Sequence, residues 1–446
     1  MTASAAKRKR STWIAFSLSV VALIVTGVLG AFAVTSLADS TVGRDVTRSR
    51  APSVTRLPWT ATALIGVVDE DGRLATSVVA VLQPSGRGGV IVDVSPSADV
   101  AGGRSELIRP LATILAVDGP EAWRSAMEQI TGLSFDVAEV VDRERFGRLI
   151  SPLGDLPVVF PFDMLDANSR QMFEAGGETV TTEEAGRAIT ARNEDGPAWV
   201  FDPGRNAVWA SIADRVGAGI GSLPDGVQYD VTFRPPGLDS FVDALFAAPV
   251  DFRALSEASV DPVVVQAALP PEYQAVLGEW WADSVVAHDR GEVALVFASI
   301  APARRGAPLD GPTARIVSGF SDDDAASVGM NRSDLMIAAI HAVLATDTNV
   351  VSVVDMPGAG VPDHTRVQVG DERDIEVVWS LLGDTFGDMQ VVVVDQPIQG
   401  VGMEIFLGRD YLDLATRAPA STETAEAPPT TDALAPGTTD VAGSDS

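Results

Sequence analysis

The three histidines of the chain, the residues best suited to acid–base and metal chemistry near neutral pH, are far apart in the sequence. They are His288, His341 and His364, and no two of them have the spacing of a metal site. The helical pattern around His341 favours a packed or surface position for it. The chain has no cysteine, which excludes thiol catalysis, cysteine metal sites and disulfides. Its stability must therefore come from a hydrophobic core.

Two further patterns fall short of a known site. Gly217, Gly219 and Gly221 follow a helical segment and do not link a strand to a helix, so we interpret them as a flexible helix exit and not as a phosphate-binding loop. The acidic run 322–324 lacks the alternating oxygen ligands of a calcium loop and is interpreted as a surface loop. The Gly-x-Ser-x-Gly and His-Glu-x-x-His motifs of hydrolases do not occur. The residue types alone therefore identify no metal or catalytic site.

The N-terminal segment has the pattern of a membrane anchor. Residues 1–10 contain four basic side chains and no acid, and residues 11–38 contain no charge. A helix of roughly 20 apolar residues spans a bilayer, and a basic flank stays in the cytoplasm. The alternative is a cleaved signal peptide, but the apolar part of a signal runs only to about 15 residues. We predict a single-pass protein of the cell membrane with a cytoplasmic N-terminus and the bulk of the chain extracytoplasmic.

Composition limits the partners and marks the ends of the folded part. The net charge of -29 repels polyanions, so nucleic acid is not an expected partner. Residues 39–58, rich in Ser, Thr, Arg and Pro, predict a linker, and residues 416–446 have little to bury and predict a disordered tail. The remainder is long enough for one large and one smaller domain.

Strand-like and helical segments alternate between these ends, which predicts an α/β fold. A helix is predicted at Thr181, where Glu184 can complete a capping box. Residues 236–311 are interrupted by prolines and are taken as a connecting region of unassigned structure. The predicted strands are 61–68, 76–82, 89–94, 135–141 and 156–160, then 314–317, 350–355, 365–369, 389–394 and 403–407; the other helices are 120–131, 143–150, 203–216, 333–344 and one with Ile375, Val378, Trp379 and Leu382 on one face.

Two blocks of the first domain resemble the LytR-CpsA-Psr (LCP) family in the order and spacing of their motifs. Residues 111–161 contain DGPEAWRSAMEQITGLSFDVAEVVDRERFGRLISPLGDLPVVFP, and the next block reads AGGETVTTEEAGRAITARNEDGPAWVFDPGR. Residues 312–412 are similar to the LytR C-terminal domain, especially in VQVGDERDIEVVWSLLGD and VGMEIFLGRDYLD. The resemblance implies an LCP-like mixed sheet flanked by helices, followed by a second small α/β domain.

The resemblance also implies a chemistry, the transfer of a glycopolymer from a polyprenyl pyrophosphate carrier onto peptidoglycan. Several arginines would hold the pyrophosphate, and a divalent cation bound to a carboxylate would neutralise charge on the leaving group. Mg²⁺ is thus the cofactor implied for an active member, and no cofactor is expected otherwise.

Several positions that would carry this chemistry are altered in the first block. Arg73 keeps the arginine of the family's Arg-Ser-Asp motif, but the acid is missing, and the acids at 69–71 are interpreted as a solvated turn. The family's Ile-Pro-Arg-Asp corresponds to residues 95–99 without the arginine. Asp99 matches the acid if one residue is inserted, with a turn or helix-cap role as the alternative. Residues 110–112 have neither side chain of the family's Lys-x-Asn.

The second block is altered as well. Of the family's paired arginines only Arg192 is present, whereas Asp202 and Arg205 match the Asp-x-Gly-Arg turn. The Arg-Gln pair that follows in the family is replaced by Val208 and Trp209, which we predict to be buried.

The retained candidates for ligand binding are Arg73, Arg192, Asp202, Arg205 and Asp99, and for each an ordinary ion pair is the alternative. Losing bidentate arginines together with the cation-binding acid costs orders of magnitude in rate, so we predict a degenerate LCP-like domain without catalytic or metal-binding residues. The favoured function is that of a membrane-anchored accessory or binding protein of the cell envelope, associated with cell-wall glycopolymer assembly. Its possible partners are a lipid-linked glycan, peptidoglycan or envelope proteins.

Two other functions stay open. An active transferase would use Mg²⁺ and relocated groups such as Asp69, Asp71 or Arg109, and would need charged side chains that converge on a deep apolar pocket. A purely structural envelope scaffold would bind no small ligand. The predicted organisation is a cytoplasmic segment (1–10), a transmembrane helix (11–38), a linker (39–58), the LCP-like domain (59–235), the connecting region (236–311), the LytR C-terminal-like domain (312–415) and the tail (416–446).

Overall fold

The computed structural model describes residues 55–103, 107–166, 170–191, 197–220, 234–278, 281–305 and 311–417. In these residues, helices flank two five-stranded sheets, so the predicted α/β fold class is confirmed at this level. All of them belong to the unit Val54–Ser446. The transmembrane helix predicted at 11–38 lies outside the described residues, and no helix within them is long and apolar enough to cross a bilayer.

The elements within the described ranges follow the predicted alternation. The strands are β1 (Thr62–Val68), β2 (Leu74–Leu82), β3 (Gly89–Asp93), β4 (Val137–Asp142), β5 (Leu156–Phe160), β6 (Met164–Asp166), β7 (Gln171–Phe173), β8 (Gly176–Val180), β9 (Val250–Ala254), β10 (Glu257–Ser259), β11 (Val286–His288), β12 (Thr313–Ser318), β13 (Asn349–Asp355), β14 (Arg366–Val369), β15 (Gln390–Val393) and β16 (Met403–Phe406). The helices are α1 (Leu111–Asp118), α2 (Pro120–Thr131), α3 (Arg143–Ile150), α4 (Thr182–Thr190), α5 (Asp202–Val216), α6 (Leu238–Phe246), α7 (Pro262–Ala268), α8 (Pro271–Leu277), α9 (Arg290–Ile300), α10 (Asp322–Ser327), α11 (Arg332–Leu344), α12 (Asp374–Phe386) and α13 (Arg409–Arg417).

The first sheet has the strand order β4-β1-β2-β3-β9. The strands β1, β2 and β3 are antiparallel neighbours, whereas β4 and β9 run parallel to β1 and β3 at the two edges. All nine residues of β2 are buried, as expected for a central strand that is covered on both faces. The stretch left unassigned by the sequence therefore supplies β9, which completes this sheet.

Alternate residues of the central strands enter two different cores, because successive side chains of a strand point to opposite faces. Ile65 and Val78 pack with α3, α4, α5 and α6 on one face, and Leu64 and Val79 pack with α1, α2 and α9 on the other. Val208 and Trp209 are buried in the first of these cores, as predicted. The first domain is thus a three-layer structure with the sheet in the middle.

The second sheet has the order β13-β12-β16-β14-β15. Its strands β12, β13 and β16 are parallel to one another, and β14 and β15 run in the opposite direction. Helices α11 and α12 pack on one face, together with residues of α9. Trp379 was predicted on the packed face of α12, and this is wrong, because its side chain is 43 % exposed whereas Val378 and Leu382 are buried.

The helix starts of the first domain are set by local hydrogen bonds. The predicted capping box at α4 is present: the Thr181 hydroxyl accepts from the Glu184 amide, and the Glu184 carboxylate accepts from the Thr181 amide at 2.9 Å. The latter bond lowers the pKa of Glu184. Asp142 caps α3 by accepting from the Arg145 amide at 2.7 Å. These caps fix the ends of two helices that cover the first sheet.

Replacing Thr181 by alanine removes one side of the capping box. We expect Thr181→Ala to lower the free energy of unfolding by about 1 kcal/mol, measured by urea unfolding with tryptophan fluorescence. Because the pKa of Glu184 is lowered in the fold, its share of this stabilisation is present at neutral pH and is lost as the pH falls through the lowered value. Thr182→Ala, which removes the neighbouring threonine without touching the cap, is the control; an equal loss in both variants would refute the role of the box.

Candidate functional site

A cluster of buried polar side chains lies at one edge of the first sheet, where β3 and β9 both end. Asp93 is the last residue of β3 and Ser95 follows it, while Glu257 begins β10 shortly after the end of β9. Asp202 is the first residue of α5, and Arg205 lies one turn further on. Because parallel strands end at the same edge, residues more than a hundred positions apart in the sequence meet here.

The ion pair between Asp202 and Arg205 is the centre of this cluster. Arg205 Nη1 donates to Asp202 Oδ1 at 2.7 Å, and both residues are 4 % exposed. The Ser95 hydroxyl donates to Asp202 Oδ2 at 2.6 Å. Arg205 Nε is buried and has no hydrogen-bond partner. The two candidates of the Asp-x-Gly-Arg turn are therefore bound to each other, and Asp202 is also bound to Ser95.

The glycine of this turn has a packing reason. A Cβ atom added to Gly204 would collide with the sulfur of Met164, the first residue of β6. The turn therefore brings the start of α5 against the β6–β7 hairpin at van der Waals distance, which a larger residue would prevent.

Three carboxyl groups, those of Asp202, Asp93 and Glu257, interact electrostatically with Arg205. Burial raises the pKa of Asp202, and the Arg205 charge and the Ser95 hydrogen bond oppose this rise. Burial raises the pKa of Asp93 well above its usual range, and the charges of Asp202 and Glu257 raise it further. Burial, followed by the charge of Asp202, raises the pKa of Glu257 to about 8. Like charges in a low-dielectric site cannot all ionise, so the cluster retains protons near neutral pH.

His288 belongs to the same cluster and positions it. The ring contacts two main-chain groups: Nδ1 lies 2.9 Å from the Ser256 carbonyl oxygen, and Nε2 accepts from the Ser95 amide at 3.3 Å. This pattern fits a neutral ring that carries its proton on Nδ1. Burial lowers the pKa of His288, which favours the same neutral form. His288 thus holds the segment that places the Ser95 hydroxyl on Asp202.

Two other predicted site residues, Asp99 and Arg73, form hydrogen bonds within loops. Asp99 is buried, and its carboxylate accepts from the amides of Gly103 and Arg109, each at 2.7 Å. Arg73 is exposed in the turn between β1 and β2, where Asp69 Oδ1 accepts from its amide at 2.9 Å. These are the turn roles that the sequence left open for Asp99 and for the acidic run 69–71. Arg192, the remaining candidate, lies outside the described residues.

An apolar cavity lies next to the cluster, between the first sheet and helices α3, α5 and α6. Its volume is about 20 Å³, enough for about one water molecule. The lining is apolar and consists of Ile65, Val78, Ala80, Ile91, Phe146, Leu149, Ile150, Trp209, Val242, Leu245 and Phe246. Trp209, one of the two apolar residues at the family's Arg-Gln position, donates from its ring to the Thr76 hydroxyl at 3.2 Å and forms one wall.

Neither a protein-family model nor a curated protein matches the chain. Solved structures do match. A protein from Eubacterium siraeum, described as a transcription regulator, is 14% identical over 52% of this chain and 95% of its own, with a TM-score of 0.36. TagV of B. subtilis is 14% identical over 49% of this chain and 95% of its own, with a TM-score of 0.35. The LytR-CPS2A-psr family protein YwtF (TagT), with bound octaprenyl pyrophosphate lipid, is 13% identical over 52% of this chain and 100% of its own, with a TM-score of 0.33.

The structural neighbours are LytR-CPS2A-Psr family proteins. The predicted resemblance is confirmed in this respect, and at these identities the finding concerns the fold. The matches cover about half of the chain. The similarity of residues 312–412 to the LytR C-terminal domain stays a prediction.

Sequence reasoning missed Asp93, Ser95, Glu257 and His288 as members of one cluster. Asp93 ends β3, which lies in the predicted strand 89–94. The strands β9, β10 and β11, by contrast, fall in the region 236–311, whose structure the sequence left unassigned. In the described residues, no group of three or more acids and histidines has the geometry to hold a metal ion.

Removing one partner of the central ion pair should be strongly destabilising. Asp202→Ala leaves the Arg205 cation buried without its carboxylate, which typically costs roughly 3–5 kcal/mol. We expect a loss of this size in urea unfolding, and a smaller loss than the sum of the single variants in the Asp202→Ala, Arg205→Met double variant. Asp214→Ala, at an exposed position of the same helix, is the control. Additive effects would show that the two residues are not coupled.

The raised pKa of Glu257 makes a prediction about pH. A carboxyl whose folded pKa lies above its unfolded value binds its proton more tightly in the fold, so stability falls as the pH rises from about 4.5 towards 8. Glu257→Gln keeps the shape without the charge and should therefore be more stable than wild type at pH 8 but similar to it at acidic pH. Thermal unfolding across this range tests the sign, with the exposed Glu272→Gln as the control. A variant that is less stable at pH 8 would contradict the assignment.

Proposed function

We propose that this chain is a membrane-anchored accessory or binding protein of the cell envelope that takes part in cell-wall glycopolymer assembly through a degenerate LCP-like domain. The observation that carries the proposal is the buried Asp202–Arg205 ion pair, surrounded by two further carboxyl groups. The motif order described for residues 111–205 supports the LCP-like assignment, and the basic and apolar segments at 1–38 support the anchor.

Pyrophosphate recognition needs guanidinium groups whose donors are free to bind oxygen. Arg205 has its Nη1 on Asp202 at 2.7 Å and is 4 % exposed. A pyrophosphate that took this Nη1 donor would have to displace Asp202, which would leave a carboxylate buried without its cation. The retained turn thus serves the fold and does not offer its charge to a ligand.

The apolar chain of a lipid carrier also lacks space in the first domain. The cavity beneath the cluster holds about 20 Å³, about the space of one water molecule. An isoprenoid chain would enter only if α3, α5 or α6 moved away from the sheet, at the cost of the packing between Phe146 and Trp209, whose rings lie 5.2 Å apart. The favoured role is therefore binding through the surface, with peptidoglycan, a lipid-linked glycan or an envelope protein as partner.

Binding of a polyprenyl pyrophosphate tests the proposal. We expect the full chain in detergent to bind geranylgeranyl pyrophosphate no more than about tenfold more tightly than geranylgeraniol, a difference of about 1.4 kcal/mol, with or without Mg²⁺. Binding is measured by quenching of tryptophan fluorescence, because Trp209 lines the cavity. Both lipids share the apolar chain, so the comparison isolates the contribution of the pyrophosphate.

The variants separate the rival functions. Tight, Mg²⁺-dependent binding that is lost in Arg73→Ala, Arg192→Ala and kept in Arg148→Ala, an exposed arginine of α3, would overturn the accessory role and restore the transferase. With no such binding, co-sedimentation with purified peptidoglycan distinguishes a binding protein from a scaffold that binds neither lipid nor glycan.

A further inference from the structure

The second domain contains a larger cavity than the first, at the carboxyl edge of its parallel strands. Its volume is about 270 Å³, and it lies where β12, β13 and β16 end. After β13 the chain passes to β14, on the other side of β12 and β16, and residues 356–362 of this connection form one wall. In open α/β sheets, ligands bind in such crevices, at the carboxyl ends of strands where the chain changes sides.

Two glycine segments hold the wall of this cavity in place. The Gly358 amide donates to the Gly319 carbonyl oxygen at 3.1 Å, which ties the connection to the end of β12. A Cβ atom added to Gly319 would lie 3.1 Å from the Gly360 carbonyl oxygen, and Gly360 has a φ of +86°. The close approach and the left-handed backbone both favour glycine here. The connection that forms this wall is therefore held to the end of β12 by main-chain contacts.

The cavity also has an arginine that forms no ion pair with a carboxylate of the described residues. Arg366, the first residue of β14, lines it and has its guanidinium carbon 4.8 Å from the centre of the Phe406 ring. The Nε atom of Arg366 is buried and has no hydrogen-bond partner in the described part of the chain. The carboxylate of Glu404 interacts electrostatically with Arg366 but is paired with a different cation, since its Oε1 lies 3.4 Å from Arg315 Nε. Arg366 thus carries a charge that Phe406 orients by a cation–π contact and that remains available to an anion.

We propose that this cavity binds a small organic anion, with its carboxylate or phosphate group on Arg366 and an apolar body against the apolar part of the lining. That part consists of Met356, Val361, Pro362 and Phe406. A cavity of about 270 Å³ lies just below the usual range for small-molecule sites. It fits a ligand the size of a capped amino acid. This site lies outside the LCP-like domain and does not rest on the function proposed for that domain.

Matched ligands test the proposal on the full chain. Hippurate carries a carboxylate on an aromatic amide, hippuramide has the same shape without the charge, and phenyl phosphate carries the alternative anion. We expect saturation-transfer NMR to show binding of at least one anion and at least tenfold weaker binding of hippuramide. The anion that binds more tightly identifies the class of ligand. Equal binding of hippurate and hippuramide, or no binding of either anion at about 10 mM, would overturn the proposal.

Two variants locate the binding. Arg366→Gln removes the charge and should weaken anion binding at least tenfold, and Ala359→Phe should do the same by filling the exposed mouth of the cavity. Arg409→Gln, an exposed arginine near the same edge that pairs with Asp324, should bind like wild type. If thermal unfolding shows that Arg366→Gln does not fold, anion binding to the Ala359→Phe variant tests the proposal in its place. Unchanged affinity in a folded Ala359→Phe variant would place the ligand elsewhere.

Discussion

The first domain depends on the burial of one positive charge, that of Arg205. A guanidinium removed from water needs a carboxylate partner, and Asp202 supplies it from the preceding turn of the same helix. Asp202 is held by the Ser95 hydroxyl, and the Ser95 amide is held by His288, so the charge connects β3, α5 and β11. The edge of the first sheet, the start of α5 and the antiparallel strand pair β10–β11 therefore meet at this buried charge. The raised pKa values of the neighbouring acids follow from the same desolvation.

A second buried arginine links helix α2 of the first domain to strand β13 of the second sheet. Arg305 donates to the Thr131 carbonyl at the end of α2 at 2.6 Å and to the Val350 carbonyl on β13 at 2.9 Å. Burial lowers its pKa to about 10. Gly132 lies so close that an added Cβ atom would be 3.0 Å from the guanidinium carbon. The helix before it, α9, supplies residues to the cores of both domains. The segment that the sequence left as a connection is thus a structural part of both halves.

The sequence predicted the elements that have a clear local signal. The helix 143–150 and the strand 156–160 are found with the predicted bounds, and the capping box at Thr181 is present, because periodicity and caps act over a few residues. The short strands β9, β10 and β11 were missed, since their pairing depends on partners far away in the chain and three prolines obscure the pattern. The polar cluster was missed for the same reason. Its members are Asp93 with Ser95, Asp202 with Arg205, and the β-paired residues Glu257 and His288, and these three pairs are far apart in the sequence.

Each domain has an arginine at an edge of its sheet, but the two arginines differ in their carboxylate partners and in the space beside them. This difference decides where an anion can bind. In the first domain the carboxyl groups outnumber the guanidinium, the arginine is 4 % exposed, and the adjacent cavity measures about 20 Å³. In the second domain Arg366 faces a cavity of about 270 Å³, and Glu404 is already next to Arg315. An anion that takes the Nη1 donor of Arg205 must replace a bonded carboxylate, whereas in the described residues the carboxylate nearest to Arg366 is paired with Arg315. Because an unpaired buried charge costs more than a hydrated one, charge recognition is favoured in the second domain, even though the family motif lies in the first.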